Sequence, residues 1–366
     1  MSDVDVFIRL LPFQLIESGA RVFIRRGARR IAFEGDGIAD TIAKLQEMAT
    51  DNFVSRRDLL APFAPVHHDR IVEFLRHLAK NRLVNVRNSG GVGPEEPVPS
   101  ETQEDVFFWQ FGMTGNEIRQ VTDFRIAIVG LNQLGLGLRD RLSEFGNWAT
   151  TLVDDIPLRN HAIVEAAEEL KQFCVKSQRA EEAEEIVQSC TLVVACAEFG
   201  GIGLLKPWNA LAFRQGKPFL PVLIEDATIR LGPLVIPEQT ACLACLDVRH
   251  NSHLREKVHD HRLIEALLPQ GQAFVGAHPA VTAIAGNLAA FEILRFSANL
   301  SPRRVGKLIE MNLMGSSMIA SRVLKAPRCP VCSPLRHASK VNLEKTSLNP
   351  ERWAQVEAMG GRNGAD

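Results

Sequence analysis

Apolar positions along this chain change period several times, and each change marks an element. Residues 22–37 read V-F-I-R-R-G-A-R-R-I-A-F-E-G-D-G. Two β-rich runs flank Arg26-Gly27-Ala28, which predicts a hairpin. From Ile38 to Ala49 the apolar residues fall at Ile38, Ile42, Leu45 and Met48, the spacing of one helix face. Ser55 is placed to cap a short helix bearing Leu59, Leu60 and Phe63. A third helical period runs from about His68 to Asn81 through Ile71, Phe74, Leu75 and Leu78, and Leu83-Val84-Asn85-Val86 reads as a strand. Hairpin, three helices and strand form a winged-helix pattern, so a small α+β domain is expected over residues 1–87. Residues 88–104 contain S-G-G-V-G-P-E-E-P-V-P-S-E-T and read as a linker.

The pattern then changes class. Phe124 to Gly130 (F-R-I-A-I-V-G) is a continuous apolar run of the buried parallel-strand type. It enters Gly130-Leu-Asn-Gln-Leu-Gly135-Leu-Gly137, then a helix predicted from about Leu138 to Phe145. Ala149 to Asp155 is a second strand ending in two carboxylates. Strand, glycine turn, helix, strand and acid open a Rossmann-like unit. A charged helical region follows from Val164 to Val187. Buried strands are expected at Thr191–Cys196 and Pro218–Ile224, with helices at Leu204–Gln215 and Ala280–Phe296. Antiparallel strands are expected at Lys307–Met311 and Met318–Val323. The fold class is therefore α/β, with this second domain at residues 105–335 and a polar tail at 336–366.

Four cysteines add chemistry to that frame. Cys242 and Cys245 lie in T-A-C-L-A-C-L, and Cys329 and Cys332 in P-R-C-P-V-C-S. A two-residue spacer lets each pair grip one edge of a tetrahedral ion, and two pairs make a closed structural zinc site. Thiolate ligands suit zinc. Cys245 and Cys329 are 84 residues apart, so the metal would tie distant segments. Cys190 and Cys196, in or beside an apolar strand, read as core thiols.

Glycines at Gly130 and Gly135 let backbone approach phosphate, and the following helix start offers N–H groups. With Asn132 and Asp154 they form a candidate nucleotide site. Asn132 holds the place of the central glycine, where its side chain narrows the space. A tight turn in a fold that no longer binds nucleotide is the competing reading. Net charge is −1, which argues against broad nucleic-acid binding. Met1-Ser-Asp-Val-Asp is acidic rather than basic, no run is read as a membrane span, and the thiolate site fits a reducing compartment; a cytoplasmic protein is expected.

Several segments together resemble the ubiquitin-activating-type adenylating superfamily (ThiF/MoeB-like). Lys217-Pro-Phe-Leu-Pro-Val, the run Gly232 to Arg249 around the first cysteine pair, His278-Pro279 and Pro327-Arg-Cys-Pro-Val-Cys332 are most similar to the ThiF-like cyclodehydratase partner proteins. That branch serves the biosynthesis of azole- and azoline-containing ribosomal peptides. The resemblance implies a winged-helix element that captures a precursor's leader as an added strand, a homodimer, and a separate ATP-using YcaO cyclodehydratase. It also implies lost chemistry. Where active members carry an acid that holds Mg·ATP, this chain has Cys196-Ala197-Glu198-Phe199. The Asn-x-x-Arg-Gln run is reduced to Leu158-Arg159-Asn160, and the downstream lysine has only Lys171 as a candidate.

The expected peptide surface is Arg29, Arg30, Ile31, Ala32 and Phe33, with Val72, Leu75 and Arg76 on the third helix; Leu75 could instead be core. Strand addition supplies main-chain hydrogen bonds there, and pockets supply specificity. A DNA-binding wing is weighed against this, because Arg21, Arg25, Arg26, Arg29 and Arg30 crowd the hairpin. The third helix, however, carries Asp69 and Glu73 and lacks residues suited to base edges. The preferred function is a leader-binding partner without intrinsic catalysis. The alternatives are an active adenylating enzyme holding ATP–Mg at Gly130, Asn132, Gly135 and Asp154, and a DNA-binding regulator. His250, His253, His259 and His261 read as a loop cluster rather than a second metal site, and His278 as a helix cap.

Overall fold

The computed structural model describes residues 6–19, 21–88, 102–113, 124–145, 148–160, 174–176, 180–252, 278–300 and 305–333. The chain divides into two compact units, Met1–Gln120 and Val121–Asp366.

The first unit contains β1 (Val6–Leu10), β2 (Gln14–Ser18), β3 (Arg21–Arg26), β4 (Arg29–Glu34), α1 (Ile38–Ala49), β5 (Val54–Ser55), α2 (Arg56–Leu60), α3 (His68–Lys80), β6 (Val84–Asn88) and α4 (Gln103–Trp109). One sheet has the order β5-β1-β6 and the other β2-β3-β4. The expected hairpin forms with Arg26 opposite Arg29, and Gly27 takes the left-handed φ of 55° that the turn needs. Ser55 caps α2, its hydroxyl accepting from the Asp58 amide at 3.0 Å. Ile8, Leu10, Ile24, Ile42, Leu45, Leu59, Ile71 and Leu78 close one core.

Strands β1 and β2, helix α4 and the short β5 lie outside the sequence-based expectations. Helix α4 starts within the segment read as a linker, runs into the residues assigned to the second domain, and belongs to the first unit. A capping box joins Thr102 and Asp105, and the Trp109 indole donates to Arg82 O at 2.7 Å. Trp109 stands against the guanidinium of Arg26, at 5.0 Å from the ring centre. Arg26 occupies an inward position of β3, is 5% exposed, and donates to Pro12 O at 2.5 Å.

The second unit is built on an eight-stranded sheet of order β14-β13-β12-β11-β10-β7-β8-β9. Its strands are β7 (Arg125–Val129), β8 (Ala149–Asp154), β9 (Cys174–Lys176), β10 (Leu192–Ala197), β11 (Phe219–Glu225), β12 (Thr228–Leu231), β13 (Lys307–Asn312) and β14 (Ser317–Arg322). From β9 to β11 the pairings are parallel, and from β11 to β14 they are antiparallel. Its helices are α5 (Gln133–Phe145), α6 (Ala180–Ser189), α7 (Lys206–Arg214), α8 (Leu243–Ser252) and α9 (Pro279–Ser297). The charged region expected to be helical contains β9, because pairing with β8 overrides the local helical composition; among the described residues its helix is α6. Residues 161–173 and 177–179 of that region, and with them Lys171, lie outside the described residues.

Helix α5 begins five residues before the expected start. Gly135 therefore sits in its first turn, where a Cβ would fall on Gly130 O. Gly130, at φ 123°, leaves no room for a side chain beneath Cys196 O. Gly286 of α9 lies against Leu138 of α5, with its added Cβ 3.6 Å from Leu138 N. Helix α9 has 19 residues and is long and apolar enough to cross a membrane by composition, which the sequence reading missed. Half of its apolar window is buried within the protein, as in a core helix.

Gly135→Ala should lower unfolding free energy by roughly 2–4 kcal/mol through backbone overlap. Gly137→Ala, facing open space in the same helix, should raise it by about 0.5–1 kcal/mol. Urea unfolding midpoints check both.

Candidate functional site

The strand order places a topological switch between β7 and β10, where ligands of such sheets bind beyond the carboxyl ends of the strands. The chain fills this position with its own polar groups. Asn132, fully buried, is the cap of α5: its Oδ1 accepts from the Gly135 amide at 2.8 Å. Its Nδ2 donates to Cys196 O at 2.8 Å and Leu158 O at 3.0 Å. Glu198, 4% exposed, reaches from the end of β10 to the same helix start. Its Oε1 accepts from the Leu134 amide at 2.8 Å, and its Oε2 from Asn160 Nδ2 at 2.9 Å. A carboxylate thus stands where a helix N-terminus would attract phosphate.

Asp154 is also engaged. Arg159 grips it through two bonds, Nε to Oδ1 at 2.9 Å and Nη2 to Oδ2 at 2.5 Å. Asp155 accepts from the Trp208 indole at 3.1 Å. Burial raises the Asp155 carboxyl above its ordinary value, with Asp154 beside it adding to the rise. Burial likewise raises Glu198, despite its hydrogen bonds. Cys196 is fully buried and held as a thiol by desolvation and the nearby Glu198, so it is an inert core group. Gly130, Asn132, Gly135 and Asp154 do come together, but Asn132 and Asp154 are satisfied by protein partners. Sequence reasoning missed the Arg159–Asp154 and Trp208–Asp155 pairs, which no spacing rule reveals.

The four cysteines converge. Their sulfurs lie within 4.8 Å of one another, a group that could hold a metal ion. Cys242 is 3.9 Å from Cys245 and 3.5 Å from Cys329, while Cys245 is 3.3 Å from Cys332. A tetrahedral ion with bonds of about 2.3 Å would space its sulfurs about 3.8 Å apart, so the donor set fits. The Ala326 amide donates to Cys245 Sγ at 3.3 Å, and Arg249 fixes α8 to the last strand's continuation through Leu324 O at 2.8 Å. Burial and hydrogen bonding to Cys245 push the Cys332 thiol up to about 12. Crowded thiols of this kind need a cation before they can all ionise.

In the first unit, β4 is an edge strand of its sheet. Phe33 reaches α3, with ring centres 5.0 Å from Phe74 and 5.6 Å from His77. Arg29, Arg30, Ala32 and Arg76 are exposed; Ile31, Phe33 and Val72 are half-buried. Leu75 is 5% exposed within the core, which corrects its assignment to the peptide surface. Phe74, read from the sequence only as part of the helix's apolar face, and His77, not named there, stand against Phe33 instead, because helical periodicity cannot rank neighbouring positions on a face. His278 Nδ1 accepts from the Ala280 amide at 3.2 Å and caps α9. His250 lies in α8, and His253, His259 and His261 lie outside the described residues.

No protein-family model and no curated protein matches the sequence. Solved structures share the fold. The heterocyclase TruD superposes with a TM-score of 0.61 at 16% identity, covering 90% of this chain and 43% of TruD. A heterocyclase in complex with substrate and cofactor gives 0.59 at 16%, covering 89% and 39%. E. coli MccB gives 0.60 at 16%, covering 89% of this chain and 97% of MccB. This chain therefore spans about two fifths of the heterocyclases and nearly the whole of MccB.

Because burial raises Glu198, the unfolded chain loses this proton first as pH rises. Its contribution to stability is greatest below the unfolded value of about 4.3 and falls as pH climbs through the folded value. Glu198→Gln should therefore gain stability relative to the parent as pH rises across that window, whatever its constant offset. Denaturant unfolding across acid to neutral pH reads the difference.

Proposed function

We propose that this chain is a leader-peptide-binding partner in ribosomal peptide biosynthesis, presenting a precursor to a separate YcaO cyclodehydratase. In this reading the first unit is a winged-helix recognition element. Its added strand lies on the free edge of β4, against α3. The second unit is a ThiF-like scaffold stapled by zinc on Cys242, Cys245, Cys329 and Cys332. It docks the cyclodehydratase, forms the homodimer, and works in the cytoplasm. Tethering the precursor raises its effective concentration at the catalyst without tight binding of the reacting segment.

The observation that carries this reading is the combination of an open recognition edge with a filled switch point. Edge strand β4 beside Phe74 and His77 offers unpaired backbone and a half-buried aromatic face, the requirements of strand addition. The Glu198 carboxylate and the Asn132 amide occupy the helix start that a nucleotide phosphate would need. Similar folds also support a peptide role: one MccB structure is a complex of that microcin C7 biosynthetic enzyme with N-formylated MccA.

An active adenylating enzyme is the second reading. It is favoured by the shared fold with MccB, which has also been solved with ATP, at a TM-score of 0.57 and 15% identity. Calorimetric titration with ATP–Mg and with a candidate precursor peptide sought among the neighbouring genes separates the two. Peptide binding without nucleotide heat is expected, and Arg29→Glu with Arg30→Glu should weaken it about tenfold while the protein stays folded. ATP binding followed by peptide-dependent pyrophosphate release would establish the enzyme instead.

The zinc assignment predicts one equivalent of metal per chain by elemental analysis. Cys329→Ser should lose it and cost several kcal/mol of stability, because metal binding is coupled to folding. Full zinc content in that variant would reject the four-cysteine site.

A further inference from the structure

The hairpin turn opens on a recess that the strand-addition surface does not use. It has a volume of about 520 Å³ and is lined by Pro12, Phe13, Gln14, Arg25, Arg26 and Val106. Its composition is amphipathic. Pro12, Phe13 and Val106 offer apolar wall, whereas Arg25 and Arg26 add two basic residues to the lining. Arg26 is a built element: it is 5% exposed, its Nη1 donates to Pro12 O at 2.5 Å, and Trp109 packs on it at 5.0 Å. Arg25 is exposed, its Nε donating to Gly27 O at 3.4 Å. Exposed Arg29 also lies on Trp109, at 5.7 Å, and pairs in register with Arg26 across the hairpin. The recess therefore adjoins the start of β4.

We propose that this recess takes a carboxylate side chain of the bound peptide, so that an acidic residue lying beyond the added strand helps to select the partner. The proposal rests on the peptide-binding reading of the first unit and adds the charge of its ligand. An apolar wall with guanidinium groups alongside suits the stem and head of aspartate or glutamate. A nucleic-acid backbone, with its evenly spaced phosphates, would instead favour a broad basic face. The hairpin does not present one: Arg21 is paired with Glu34 at 2.5 Å, and α3 carries exposed Asp69 and Glu73. Charge at the mouth would act mainly on encounter rate and partner choice.

The test uses the full chain and fluorescein-labelled hexaglutamate, with hexaglutamine and a short random DNA duplex as comparison probes, read by anisotropy at low ionic strength. Saturable hexaglutamate binding is expected, with none for hexaglutamine. Arg25→Glu should weaken it at least tenfold, whereas Arg322→Glu, an equal change of net charge on exposed β14, should change it less than twofold. Equal losses in both variants would mean general electrostatics and overturn the proposal, as would an unchanged Arg25→Glu. A duplex that binds more tightly than hexaglutamate and depends on Arg25 would overturn it in favour of nucleic acid. Titrating the precursor against Arg25→Glu separates the two levels. Full precursor affinity in the variant removes the recess but leaves strand addition standing. A precursor that does not bind the parent protein removes the peptide reading itself.

Discussion

One amide side chain holds the centre of the second unit. Asn132 joins the turn after β7 to the first turn of α5, to the end of β10, and to the segment following β8. Each partner is a backbone group, and a buried one left unpaired costs about 1–3 kcal/mol. The side chain fits because Gly130 and Gly135 leave space around it. Glu198 then completes the helix start, and Asn160 completes Glu198. The same arrangement that stabilises the crossover engages the Leu134 and Gly135 amides at the helix start.

Much of the frame was legible before any coordinates. The apolar runs at Phe124–Gly130 and Thr191–Cys196 read as buried strands and form β7 and β10, and the helix periods at Ile38 and His68 were regular. The cysteine spacing placed a cluster correctly, because two short spacers constrain geometry whatever the intervening fold does. Other features depended on partners far along the chain. β9 is three residues long and is defined by its pairing with β8. Gly135 looked like part of a loop because its helical role depends on the Asn132 cap. Leu75 and Phe74 are adjacent in the same helix, and only packing decides that one is core and the other faces β4. The engagement of Asp154 by Arg159 is likewise a tertiary fact, although both residues were visible.

The two units handle charge differently. In the second, carboxylates are drawn inward and matched: Asp154 to Arg159, Asp155 to Trp208, and Glu198 to amides. In the first, the exposed Arg25, Arg29 and Arg30 gather at a turn, while Arg26 is drawn inward against Trp109. Inward matching fixes a shape, whereas outward clustering creates a field that reaches about a Debye length, near 8 Å at physiological salt. The contrast fits a division between a rigid support and a surface that meets other molecules.

The cysteine cluster also imposes an order in time. Cys242 and Cys245 leave the ribosome well before Cys329 and Cys332, the inner pair being 84 residues apart. At synthesis rates of about 5–20 residues per second that interval is roughly 4–17 s. During it the first two thiols have no second pair to complete a shared ion, and β13 and β14 are still to be made. A metal held by these four sulfurs would make closure of the sheet's antiparallel end and completion of the cluster a single late event of biogenesis, with metal supply a condition of maturation as well as of stability.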